Sequence, residues 1–139
     1  MVDRDVLSAR LSALEGYLAE LRSFRKVDEE DFVREPALHH LAERYLHLAC
    51  EAVADVAHHV IADEGLRQPA NYKDAIAVLA EAGRIDRESV HRLQDWMGLR
   101  NVLTHLYLEI DHRRTYAALH DDLGDLETFA TAMARLLAP

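Results

Sequence analysis

The sequence predicts an all-α protein, an up-and-down helical bundle of about four long helices with short helices between them. Three observations point there. Apolar residues recur at three- and four-residue spacing through most of the chain. Only five glycines and three prolines interrupt 139 residues. No segment shows the two-residue alternation of a half-buried strand. Half of the residues are hydrophobic, enough at this length to bury one core without disulfides or metals, so residues 1–139 read as a single domain.

The first helix is expected from about Asp3 to Lys26, with Val6, Leu7, Leu11, Leu14, Leu18 and Leu21 on one face. Asp28-Glu29-Glu30-Asp31-Phe32 reads as a short acidic, solvated connector. Pro36 suits the first turn of the longest helix, which should run to about Glu64 and stop at Gly65. Leu38, Leu41, Tyr45, Leu48, Ala52, Val56 and Val60 form its apolar stripe. A polar stripe runs beside it through His39, Glu43, His47, Glu51, Asp55 and His59, and its simplest reading is a solvated face. Glu51 is the member of that stripe most suited to a groove or a partner face, with His47 next to it.

After the Gly65–Asn71 loop, a short helix is expected from Asn71 or Tyr72 through Ala75, Ile76, Leu79 and Ala80 to Gly83. Asp86 should cap the next helix, which carries Val90, Leu93 and Met97; Gly98 interrupts it and permits a bend or close packing. Glu109 to Arg114 leaves the helix, with Asp111 placed to cap a short one. A last helix near Asp121 to Leu137 should bury Leu123, Leu126, Phe129, Met133 and Leu136.

Charge and cysteine content narrow the function classes. A net charge of −9 argues against a generic basic nucleic-acid binder, and confines any RNA site to a local groove. The lone Cys50 lacks basic neighbours and reads as a small core residue in a reducing cytoplasm. The start of the chain has no signal-like apolar run and no stretch reaches the length of a membrane span, so the protein is expected to be cytoplasmic.

The stretch that carries chemistry is Leu99-Arg100-Asn101-Val102-Leu103-Thr104-His105-Leu106-Tyr107. Metal-free RNA cleavage uses the 2′-hydroxyl as nucleophile and needs a proton carrier near neutrality, which suits His105. It also needs a fixed cation for the phosphorane, which suits the bidentate fork of Arg100. Asn101 can orient phosphate, ribose or imidazole. Geometry adds a constraint, because residues five apart on an ideal helix point about 140° apart. Either the helix deforms near Gly98 or two copies of the motif meet.

Arg-Asn-x-x-x-His-x-Tyr resembles the signature of the HEPN superfamily, in its HepT-like RNase toxin branch, where it reads Arg-x4-His-x-Tyr. Arg44 and Glu51 resemble family positions, as do Leu66-Arg67-x-Pro69 and Tyr72-x3-Ile76-x2-Leu79-x3-Gly83. The resemblance implies a metal-independent endoribonuclease toxin with no cofactor, working as a homodimer whose groove joins two motifs. It further implies an MNT-type nucleotidyltransferase antitoxin as partner, which adenylylates the tyrosine matching Tyr107. AMP there would add bulk and negative charge beside the RNA groove.

Two other readings compete. Asp55-x-x-His58 and Glu109-x-x-His112 have the carboxylate-x-x-histidine spacing of metal-binding bundles. A non-catalytic HEPN module that senses nucleotides or holds a partner would carry the same fold.

Overall fold

The computed structural model describes residues 3–105, 108 and 110–138, and in it the apolar faces of four helices meet around one core. These are α1 (Arg4–Ser23), α3 (Pro36–Asp63), α5 (Arg87–His105) and α7 (Leu123–Ala134). Three short helices fill between them: α2 (Glu29–Arg34), α4 (Tyr72–Glu81) and α6 (His112–Asp121). The central α3 packs on α1, α2, α4, α5 and α7. Among the described residues no helix is long and apolar enough to cross a membrane.

Local chemistry sets the ends. The Asp3 carboxylate caps α1, accepting from the backbone N–H of Asp5 at 3.1 Å and of Val6 at 3.2 Å. The last turn expected of α1 tightens into a 3-10 turn over Phe24–Lys26. Gly65, which ends α3, takes a φ of +63°, and Gly83 beyond α4 takes +74°, conformations that favour glycine. Asp111 caps α6 through its own carboxylate as expected. The final helix stops earlier than the sequence suggested, at Ala134, and a 3-10 turn over Arg135–Leu137 leaves Leu136 half-buried.

Two expectations need correction. The acidic Asp28–Phe32 stretch is no mere connector, because α2 starts on the Asp28 cap and buries Phe32 completely. That ring lies 6.4 Å from Phe24 and 5.3 Å from Tyr116. Its burial contributes about 1.5–3 kcal/mol.

The phase of α3 also differs at its N-terminal end. Leu41 is 49% exposed, whereas His39 and Glu43 are buried. The polar pair is tolerated inside because α2 and α6 supply partners. His39 Nδ1 donates to the Phe32 carbonyl at 2.9 Å, and its ring stacks on His112 at 3.6 Å. The Glu43 carboxylate takes His112 Nδ1 at 2.5 Å and His40 Nδ1 at 3.2 Å. The first residue of α6 is thereby tied to α3.

Gly98 does not break α5, which runs as one α-helix through it. Cys50 sits wholly inside, its thiol directed at the Trp96 carbonyl 3.7 Å away, and burial pushes its pKa up to about 12. Its thiol is therefore expected to resist an aromatic disulfide reagent at pH 8 in the folded protein and to react at once in denaturant. Rapid reaction of the native protein would contradict this packing.

Candidate active site

Arg100 lies on the side of α5 that faces α3. Its Nε donates to Glu51 Oε1 at 2.5 Å, with the two side chains 13% and 31% exposed. The guanidinium carbon sits 4.3 Å over the Tyr72 ring, within cation–π range, and Nη2 makes a long contact of 3.5 Å with the Tyr72 hydroxyl. Nη1 donates to Asn101 Oδ1 at 3.2 Å. The cation is thus gripped on three sides, and N–H donors on both terminal nitrogens remain beyond these contacts.

The start of α4 is fixed independently, which holds Tyr72 in place. Asn71 caps it by accepting from the Asp74 N–H at 2.8 Å. Arg67 grips Asp74 through two nitrogens, at 2.9 and 3.0 Å, and reaches Glu81 at 3.2 Å. The Arg67 guanidinium, with help from the Ala70 N–H, lowers the Asp74 carboxyl to a pKa of about 2. On the far side of Tyr72 the His58 ring meets it edge-on at 5.5 Å. The Ala54 carbonyl can only accept, so His58 Nδ1, 2.8 Å away, carries the proton.

His47 closes the network from α3. Arg44 Nη1 stands 3.2 Å from His47 Nδ1. A guanidinium only donates, so this contact assigns Nδ1 as the acceptor and puts the neutral ring's proton on Nε2. That N–H faces Thr104 Oγ1 at 3.1 Å, with Glu51 Oε1 farther off at 3.5 Å. The Thr104 hydroxyl in turn donates to the Arg100 carbonyl at 2.9 Å. Arg44, His47, Glu51, Tyr72, Arg100 and Thr104 form one connected polar cluster across α3, α4 and α5.

His105 stands apart from it. It is the last residue of α5, exposed, and without a hydrogen-bond or ion-pair partner among the described residues. Asn101, four residues earlier, is also exposed on the same face. Because α5 is unbroken, the rotation of about 140° between Arg100 and His105 is realised. Tyr107 lies outside the described residues. So does Glu109, which leaves one candidate metal pair untested. In the other, Asp55 lies 3.9 Å from Arg10, while the Nδ1 of His58 is committed to the Ala54 carbonyl. Among the described residues no group of three or more His, Cys, Asp or Glu side chains is placed to hold a metal.

Three contributors escaped the sequence reading: Tyr72, His58 and Thr104. Tyr72 and Thr104 stand within stretches already singled out, but nothing in linear order pairs them with Arg100 or His47. Chemically, a guanidinium anchored on one carboxylate can offer its free N–H edge to a phosphate. An exposed imidazole can exchange a proton near neutrality.

The chain is similar to known proteins in sequence and in fold. The family model described as ribonuclease HepT-like matches residues 14–133. The chain is 30% identical over 84 residues to an mRNA nuclease HepT of Shewanella oneidensis, a match spanning 60% of this chain and 63% of that protein. It is 25% identical over 116 residues to a tRNA nuclease HepT of Aphanizomenon flos-aquae, covering 82% of this chain and 78% of the relative. In fold it is similar to a tri-AMPylated Shewanella oneidensis HEPN toxin solved in complex with its MNT antitoxin. That match has a TM-score of 0.86 at 22% identity, over 97% of this chain and 99% of that one. The matched residues include the whole polar cluster and the Arg100–Tyr107 motif, and the chain belongs to the HepT-like ribonuclease family.

Proposed function

We propose that this protein, taken as one HepT-like domain over residues 1–139, is a metal-independent endoribonuclease toxin of a toxin–antitoxin pair. It acts on cytoplasmic RNA in a groove between two copies of the chain. The observation that carries the reading is Arg100 fixed by Glu51 and Tyr72 at one end of the motif, with an exposed His105 at the other that has no hydrogen-bond or ion-pair partner among the described residues. In this reading His105 is the general acid and base, Arg100 clamps the phosphate and the developing charge, and Asn101 supports them. Glu51 orients Arg100, and His47 holds Glu51's side of the groove through Thr104.

The homodimer has two supports. Arg100 and His105 face different sides of one straight helix, so a second copy is the simplest way to bring an arginine to a histidine. Leu41 is exposed on α3, in line with half-buried Leu38, Tyr45 and Leu48 and beside Arg44, which gives that copy an apolar strip to cover. Partnership with an MNT-type nucleotidyltransferase, and silencing by AMP on Tyr107, are proposed with the support of the family match and of the adenylylated toxin of similar fold.

One observation favours the second reading, a non-catalytic nucleotide-sensing or partner-binding module: the charge of Arg100 is already met by Glu51. Both readings are tested by incubating labelled RNA with purified protein in EDTA. The toxin reading expects cleavage that falls by roughly 10²-fold or more in His105→Ala and in Arg100→Ala, with folding and dimerisation retained. It also expects protein co-expressed with an MNT-type nucleotidyltransferase to gain the mass of AMP, and Tyr107→Phe to abolish that gain. No cleavage together with an unchanged mass would favour the binding module.

A further inference from the structure

Two consecutive residues at the start of α4 touch α5 at different places. Tyr72 lies under the Arg100 guanidinium, and Lys73 lies against Gly98. A Cβ on Gly98 would sit 3.6 Å from both Cε and Nζ of Lys73, so the ammonium end lies across bare backbone that any larger side chain would fill. Gly98, Asn101 and His105 follow one another at spacings of three and four, and share a face of α5. The ammonium of Lys73, the amide of Asn101 and the imidazole of His105 therefore form a track about 10 Å long on one side of the helix.

The charge of Lys73 is available there. Arg67, Arg84, Arg92 and Arg113 each hold a carboxylate. Lys73 is exposed and has no such partner among the described residues, although Asp95, Asp111, Asp122 and Asp125 line the same cleft together with Arg92 and Arg114. In a chain of net charge −9, a free ammonium on the His105 face is a local feature that the overall charge would not predict.

Resting on the RNase reading above, we propose that Lys73 binds a backbone phosphate of single-stranded RNA beside the one being cleaved. Its ammonium end rests beside Gly98, on the His105 track. Lys73 acts as a point charge, gripping a phosphodiester without reading a base. It is a substrate-binding residue and takes no part in proton transfer.

The test is the salt dependence of binding to a labelled single-stranded 2′-O-methyl oligoribonucleotide, which lacks the internal nucleophile and survives the measurement. Removing one phosphate contact in Lys73→Gln should lower the slope of log affinity against log salt by about 0.7. Affinity should fall several-fold at low salt and converge on wild type at high salt. Lys73→Arg should restore the slope. Gly98→Ala, whose added methyl meets the lysine only at ordinary contact distance, should keep it. On cleavable RNA, Lys73→Gln should raise KM and leave kcat near wild type. Wild-type binding with an unchanged slope in Lys73→Gln would overturn the assignment of Lys73 alone. A wild-type protein that neither binds nor cuts RNA would overturn the RNase reading beneath it.

Discussion

Five residues along an unbroken helix turn through more than one full revolution, and that rotation governs the site. Because α5 stays α-helical through Gly98, Arg100 points at α3 and His105 points away from it. The arginine side is consequently a half-buried polar wall, lined by Glu51, Tyr72, His47 and Thr104. The histidine side is exposed, and among the described residues it carries Asn101 and lies near the ammonium of Lys73. A site needing both groups at one phosphate has to draw on something outside this helix.

The closed side is built to hold one orientation. A guanidinium on a carboxylate alone could swing about that bond, but the Tyr72 face and the Asn101 amide remove that freedom. The grip is reinforced from behind, where the Thr104 hydroxyl joins the His47 ring to the backbone of Arg100. Pre-organisation of this kind is how a fixed charge does more in a protein than a free cation does in water. It also fixes one cation in place within a chain whose net charge is −9.

Much of this was legible in the sequence, and the failures have physical causes. The helices, the Pro36 start, the Gly65 stop and the Asp111 cap follow from local propensity and capping chemistry, which neighbouring residues largely decide. Phe32 was missed because a lone aromatic in an acidic run carries no period, and its burial rests on the rings of Phe24, His39 and the sequence-distant Tyr116. His39 and Glu43 looked solvated because the partner that makes their burial tolerable, His112, lies some seventy positions further along the chain. Gly98 was ambiguous for a similar reason. A bend and a packing surface have the same signature, and the unbroken α5, with Lys73 at ordinary contact distance from Gly98, decides against a break. The Arg100–Glu51 bridge was half visible, since both residues stood out singly while nothing in linear order paired them.

The central claim is that a working site needs Arg100 from one copy and His105 from another. Mixing the two inactive variants, Arg100→Ala and His105→Ala, under conditions that exchange subunits tests it most directly. If the site is shared, each mixed dimer keeps one intact pairing, and random exchange should restore on the order of a quarter of wild-type cleavage. If exchange is verified and the mixture stays as inactive as its parents, the two groups act within one chain and the shared groove is wrong.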